Sequence, residues 1–504
     1  MATQRPRLLL AMAFCGGMAS LGGEIAAARL LAPYFGASTI IWANTIGVVL
    51  VALSVGYWYG GRLADRRPDI ESLARVVLAA AALLALVPFV ADPFLDAVIS
   101  AFDAIDAGAF VGSLLAVLLL LSIPMLLLGT VTPWALRLAI DDVSRAGQIA
   151  GRLYAVSTLG SLAGVFLSAL VLIPLIGTQR TFIAFGAVLA IAAAAGLRSP
   201  RAALVPVLLL AALALPVGLT KGDANDGERV IAEQETTYQY LRVIEEDGRR
   251  RLELNEGQAT HSVYEPDTVL TGGVWDGYLV LPQTVLDDSP ASVAMLGNAA
   301  GTVSRAYGRH HPESRIDGVE LDGDVTTVGR ELFELDSNPR LTTYEEDARP
   351  FLRRTDERYD AIFVDAYRQP YIPFYLATTE FFELVRDRLE PGGAVVLNVG
   401  HPPGQDALER TLTQTIETAF PYVRRWAIED ENTLLVASET EPTAERLEAA
   451  DIGVEGELDE LQGRAVVELG APLSGGSVYT DDRAPVEWLI DASILRFATG
   501  EDVD

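Results

Sequence analysis

The sequence predicts an α-helical transmembrane bundle joined to an α/β unit built on a doubly wound, Rossmann-like sheet, and two patterns carry that expectation. Before Leu219 the chain is apolar enough, segment after segment, to lie in lipid. Between Val293 and Val399 four short apolar strands each end in a polar loop: 297–301, 320–322, 347–348 and 365–367. Charge separates the two blocks. The formal net charge of −29 comes mostly from residues after Lys221, which is the only lysine among 504 residues.

Seven segments approach or exceed the roughly 20 apolar residues that span a bilayer: 8–31, 40–60, 73–91, 110–130, 153–175, 181–197 and 202–219. The first is too long to be only a signal peptide and has no cleavage-site pattern followed by soluble sequence. Small residues recur at Gly16, Gly17, Gly60, Gly61, Gly160, Ser161 and Gly164, which suits close helix packing in lipid. Glu24 and Arg29 are charged exceptions in the first segment. Their spacing sets them on different sides of a helix, so Arg29 snorkels while Glu24 needs a donor from another helix.

Loop arginines set an orientation. Arg5 and Arg7, the group Arg62, Arg66, Arg67 and Arg75, the pair Arg137 and Arg145, and Arg198 with Arg201 fall on one side, against an acidic loop at 92–106. A multi-pass protein of the cell membrane with its amino terminus in the cytoplasm follows. Seven spans would place the α/β unit outside, in conflict with a cofactor made in the cytoplasm. The short segment 202–219, which carries Pro206 and Pro216, is the one whose failure to span returns that unit to the cytoplasm.

Composition narrows the function. An acidic, lysine-poor surface has no basic stripe for nucleic acid, attracts cations including organic amines, and suits a halophilic chain kept soluble at high salt. Cys15 is the single cysteine and lies in the first apolar segment, so no disulfide framework is expected within one chain. The four histidines form no ligand pattern, His310 and His311 read as exposed on a helix, and no metal is expected.

Ligands of doubly wound sheets lie beyond the carboxyl ends of the strands, where a glycine loop admits a close approach and an acid about 20 residues on can hold ribose hydroxyls. Glu320 stands in that place relative to the loop 297–301.

Together these residues resemble the membrane-bound branch of the spermidine synthase (polyamine aminopropyltransferase) family. The resemblance rests in the first block on Arg29-Leu-Leu-Ala-Pro33-Tyr-Phe-Gly36, Gly60-Gly-Arg62-Leu-Ala-Asp65-Arg and Leu153-Tyr-Ala-Val-Ser157-Thr-Leu-Gly160-Ser. In the second it rests on Tyr238-Gln239, His261-Ser-Val-Tyr264, the four strand-end loops, Ile372-Pro373, Leu376-Ala-Thr-Thr-Glu380-Phe-Phe and Thr480-Asp481-Asp482-Arg-Ala-Pro485-Val-Glu487.

The resemblance implies three domains: a bundle at 1–221, a small β domain at 222–285 and a class I methyltransferase-type sheet at 286–504. The sequence agrees with a hairpin there, strands at 238–244 and 250–254 flanking Asp247-Gly248. Carried over by position, Gln239, Gly297, Asn298 and Gly301 contact an S-adenosyl ligand, Glu320 its ribose, and Asp347 with Ala348 its adenine amino group. Asp365 is the expected catalytic residue, with Tyr238, Tyr367 and Arg368 around the substrate. The implied co-substrate is decarboxylated S-adenosylmethionine, or S-adenosylmethionine itself. The implied partners are a small amine and the lipid bilayer, with a homodimer allowed and no nucleic acid.

Two positions depart from the spermidine-making pattern. Ala300 stands where an aspartate in the glycine loop binds the ligand's amino group, and Arg368 where a second aspartate holds the far end of the diamine. An arginine there should disfavour putrescine and could select a carboxylate or phosphate. The alternatives are a methyltransferase using intact S-adenosylmethionine, and a membrane amine transporter or sensor with a non-catalytic adenosyl-binding domain.

Overall fold

The protein is described by a computed structural model that covers residues 6–35, 39–103, 109–140, 142–197, 199, 201–214, 227–236, 238–254, 260–367, 371–452 and 456–499. Arg368, expected at the acceptor, lies outside the described residues. The chain forms two compact units, Met1–Asp223 and Ala224–Asp504.

In the first unit apolar composition produces long helices: Pro6–Phe35, Thr39–Arg66, Ile70–Asp103 and Ala109–Gly129. After a short helix at Val131–Ala139, the helix Ala146–Leu167 passes through one wide turn, Ser168–Leu172, into Ile173–Leu197. Glycines set how closely these helices approach. A Cβ added at Gly17 would stand 2.2 Å from the Ser157 carbonyl oxygen, one at Gly160 2.1 Å from that of Phe14, and one at Gly164 2.1 Å from that of Met18. The backbones of the first and sixth helices therefore touch, and Ser161 and Ser168 donate across the same seam to the carbonyls of Gly17 and Gly22.

Among the described residues five runs are long and apolar enough to cross a membrane: Pro6–Leu31, Ile41–Arg66, Ile70–Ala91, Ser113–Ala139 and Val143–Leu197. Seven were expected. The last run, 55 residues, contains the expected segments 153–175 and 181–197, and Gly177 between them leaves helical geometry at φ 79° and ψ 168°. The expected segment 202–219 instead gives the nine-residue helix Leu204–Ala212, about 14 Å long at 1.5 Å per residue and too short to span. Residues 215–219 lie outside the described residues.

The second unit opens with a four-stranded antiparallel sheet, β1 (Arg229–Glu235), β2 (Tyr240–Glu246), β3 (Arg249–Leu254) and β4 (Thr260–Tyr264). Asp247 and Gly248 both take positive φ, 49° and 86°, which gives the two-residue turn that fits the twist of a hairpin. Leu241, Val243, Leu252 and Leu254 share a core with Ala300, Val325, Val328 and Phe333. The small sheet thus packs on the helix Gly323–Leu332 and belongs to the same compact unit as the larger sheet.

The larger sheet has seven strands: β5 (Ser292–Leu296), β6 (Arg315–Glu320), β7 (Leu341–Glu345), β8 (Tyr359–Val364), β9 (Leu389–Gly400), β10 (Tyr422–Glu429) and β11 (Asn432–Ser438). Their spatial order is β10-β11-β9-β8-β5-β6-β7, with β11 antiparallel to both neighbours and the other pairs parallel. Both faces are buried. Ala294, Leu296, Ile362, Val364, Val395 and Leu397 enter one core, while Val293, Met295, Ala361, Phe363, Ala394 and Val396 enter the other. The chain leaves β5 toward β6 and later returns to the other side of β5 as β8. That reversal opens a crevice between the two strand ends, where ligands of such sheets bind.

The expectation for His310 and His311 is corrected: they are 3% and 2% exposed. His311 ends the helix Thr302–His310, packs on Tyr307 with ring centroids 4.7 Å apart, and bonds Ser289 and the Leu279 carbonyl. Burial holds its pKa down at about 4, which fits a neutral structural ring.

The glycine contact in the first unit is testable. Gly160→Leu should destabilise the detergent-solubilised protein by about 1–3 kcal/mol or more, since overpacking has no backbone space to fill. A melting temperature equal to the parent's would contradict the close approach.

Candidate active site

The loop after β5 is held open by backbone geometry. Gly297 takes φ 90°, and a Cβ there would stand 2.3 Å from the carbonyl oxygen of Asp365, so the loops after β5 and β8 can meet only at a glycine. The amides of Gly297 and Asn298 both donate to the Val319 carbonyl, at 2.9 and 3.0 Å. Ala299 sits in the left-handed region at φ 45°, a conformation that costs of order 1 kcal/mol in a residue with a side chain. Glu320 Oε2 accepts its N–H at 3.0 Å, and Ser262 Oγ accepts that of Ala300 at 3.0 Å. Gly301, at φ 90°, caps the helix that follows, and a Cβ there would run into Leu335. Ala300 itself is buried in the core under the small sheet and lines neither lobe described below.

Glu320 ends β6, with Oε1 accepting the Asp322 N–H at 3.1 Å. Burial pushes its carboxyl up to about 7, against the opposing pull of these backbone donors. Asp322 caps the next helix and accepts from Thr236 Oγ1 at 2.6 Å and Gln239 Nε2 at 3.3 Å. Gln239 is thus fixed by a buried carboxylate of the large sheet. Asp347 caps the helix Ala348–Arg354 and also accepts the Tyr375 hydroxyl.

Asp365 follows β8. Its Oδ2 accepts from the Trp275 indole N–H at 3.1 Å, and its Oδ1 from Asn398 Nδ2 at 2.9 Å. Burial pushes its carboxyl up to about 6, and the two donors act in the opposite direction. Tyr367 donates to the Asn398 carbonyl at 3.0 Å and accepts the Gly400 N–H at 2.6 Å, which locks the loop after β8 onto the end of β9. The Asp276 carboxylate accepts the N–H groups of Thr271 and Gly272, at 2.9 and 2.8 Å, and so shapes the loop that presents Trp275.

These groups line two adjoining lobes. The smaller, about 80 Å³, is walled by Tyr238, Gln239, Glu320, Asp347, Ala348 and Tyr375. The larger, about 550 Å³, is walled by Trp275, Asn298, Asn398, His401, Glu429 and Glu431 among others. His261, Gly297, Ala299, Asp365 and Tyr367 line both. Asp365 therefore stands where a group bound in one lobe would meet a group bound in the other.

Every described residue expected at the site borders one of these lobes except Gly301, which shapes the loop from behind. Asn298 faces the larger lobe, and its Oδ1 is taken by Ser304. The residues that reading the sequence does not reach are Trp275, Asn398 and Asp322. Trp275 lies 90 residues from its partner and Asn398 33, so no local spacing signals either bond. The Gly272-Gly273 step before Trp275 is the available hint that the loop there is shaped.

Residues 280–428 match the family model described as the spermine/spermidine synthase domain. A probable polyamine aminopropyl transferase of Bifidobacterium longum is 32% identical over 280 residues, covering 51% of this chain and 61% of the relative. Polyamine aminopropyltransferase 1 of Streptomyces coelicolor is 27% identical over 441 residues, covering 82% of this chain and 79% of the relative. The chain spans about half to three-fifths of the length of the first curated relatives it matches. Among solved structures, a probable spermidine synthase from Corynebacterium glutamicum overlaps 55% of this chain and 95% of its own, at 19% identity and a TM-score of 0.37.

Glu320 gives a proton signature. Free, with its pKa raised to about 7, it is about half protonated at pH 7, whereas hydroxyl donors from a ribose favour the ionised form. Binding of methylthioadenosine at pH 7 should therefore release about half a proton, read from calorimetric heats in buffers of different ionisation enthalpy, and affinity should rise as pH rises toward 8. Equal heats in all buffers would remove Glu320 from the ligand.

Proposed function

From the spermine/spermidine synthase domain that this chain carries, we propose that the protein is a membrane-anchored aminopropyltransferase. It moves an aminopropyl group from decarboxylated S-adenosylmethionine to an amine. The observation that carries this reading is Asp365 at the junction of the two lobes, with both its oxygens oriented by neutral donors and no lysine or arginine among the described residues that line them.

An aliphatic amine with a pKa near 10.4 is protonated at neutral pH, and freeing its lone pair costs about 4–5 kcal/mol. Asp365 binds that ammonium, accepts its proton and aims the nitrogen across the junction. A pKa of about 6 keeps Asp365 ionised at neutral pH yet makes it a better proton acceptor than an ordinary aspartate. The bound sulfonium co-substrate supplies an activated carbon and a neutral thioether leaving group, so Asp365 is the one proton acceptor required. Glu320 takes the ribose hydroxyls, with Gln239, Gly297 and Gly301 shaping its surroundings. Ala348 lies beside the adenine, and Asp347, engaged by Arg349 and Tyr375, positions that edge.

The first unit is proposed as the anchor. Its five long apolar runs, and exposed side chains such as Leu119, Ile123, Leu170 and Leu175, ask for lipid. The break at Gly177 divides the last run into two membrane-length pieces, an even count of crossings that keeps both termini on the cytoplasmic side, where the co-substrate is made.

Two substitutions test the assignment. Asp365→Asn should lower kcat about a hundredfold or more while the affinity for methylthioadenosine stays near the parent's, and the parent's rate should rise with pH through about 6 as this carboxyl ionises. Glu320→Ala should instead weaken that affinity about ten- to hundredfold. Loss of adenosyl affinity on Asp365→Asn with turnover retained would reverse the roles.

A further inference from the structure

Three of the side chains that wall both lobes carry polar atoms: Asp365, Tyr367 and His261. Two are already engaged. Asp365 takes one donor on each oxygen, and the Tyr367 hydroxyl is bonded to the Asn398 carbonyl and the Gly400 N–H. His261 differs. Its Nε2 is buried and has no hydrogen-bond partner among the described residues.

Backbone geometry sets the place of that ring. β4 pairs with β3 so that Leu252 faces Ser262 and Glu253 faces Thr260, which leaves His261 as the extra residue of a β-bulge. A bulge re-aims the side chain it carries, and this one sets the imidazole at the junction of the lobes. The strand is tied down at its next two residues. Ser262 Oγ accepts the Ala300 N–H at 3.0 Å and the Val263 N–H donates to Thr302 Oγ1 at 2.9 Å, so β4 is fixed to the glycine loop and to the helix after it. Burial holds the pKa of the ring down at about 4, so it is neutral at pH 7 and keeps one nitrogen as an acceptor.

The chemistry at the junction asks for such an acceptor. An aminopropyl group in transit between the lobes brings its own terminal ammonium, a donor of three hydrogen bonds. Ala300, where the family resemblance implies an aspartate for that ammonium, is fully buried in the core beneath the small sheet and lines neither lobe. We propose that His261 takes over this contact: its imidazole accepts a hydrogen bond from the terminal ammonium of the transferred group, and the site thereby selects adenosyl ligands that carry an amine at that end. This rests on the proposed transfer of an aminopropyl group. A neutral ring in place of a carboxylate holds the ammonium without setting a second negative charge beside Asp365, whose pKa burial has already raised to about 6, so Asp365 stays ionised at neutral pH.

The test uses the full chain in detergent and compares two unreactive ligands by calorimetry: methylthioadenosine, which lacks the amine, and decarboxylated S-adenosylhomocysteine, a thioether that carries it. In the parent the amine-bearing ligand should bind more tightly. His261→Leu should cut the ratio of the two affinities about tenfold and leave the affinity for methylthioadenosine near the parent's. His261→Gln, whose amide oxygen also accepts, should restore part of the ratio. A ratio equal to the parent's in His261→Leu, or an equal loss of both affinities in both variants, overturns the proposal. Dependence of the ratio on His261 in a protein that transfers no aminopropyl group would uphold the proposal and overturn the proposed function instead.

Discussion

The site depends on the contact between two loops at the reversal point of the sheet. Gly297 lets the backbone after β5 lie against the Asp365 carbonyl, and a methyl group there would have to occupy the same space. Through that contact the smaller lobe, bounded by Glu320 and Asp347, and the larger lobe, bounded by Trp275 and Asn398, share one carboxylate. Trp275 and Asn398 then fix the orientation of that carboxylate, each donating to a different oxygen. A left-handed alanine at 299 is tolerated because Glu320, Ser262 and Val319 hold the amides around it. Backbone strain, the Glu320 carboxylate and the contact between the loops are parts of one arrangement.

Electrostatics follow from the same crowding. Glu320, Asp322 and Asp365 are drawn toward one crevice, and burial raises the pKa of each. In the unfolded chain these acids ionise near their ordinary values, so they favour the folded state at low pH and cease to do so as pH rises through 4 to 7. A ligand that brings hydroxyl donors and positive charge reverses that penalty.

Much of this was legible in the sequence because the signals are local. The apolar runs of β5 and β8 with the polar loops after them show in the sequence, as do the Asp247-Gly248 turn and the placement of Glu320 about one βαβ step after the glycine loop. What was not legible is set by contacts between distant segments. The bonds from Trp275 and Asn398 to Asp365 have no periodicity behind them, and the burial of His310 and His311 depends on which face of a short helix meets the loops before it. The count of spans went astray for a different reason. Hydropathy alone cannot tell a membrane-length run from the nine-residue helix Leu204–Ala212.

Transfer of an aminopropyl group is the central claim, and product identity tests it most directly. The full chain, solubilised and supplied in parallel with decarboxylated and intact S-adenosylmethionine together with putrescine or spermidine, should yield a polyamine lengthened by one aminopropyl unit and methylthioadenosine, from the decarboxylated form alone. A methylated amine with S-adenosylhomocysteine from the intact form, or adenosyl-ligand binding with no amine product under either condition, would contradict it.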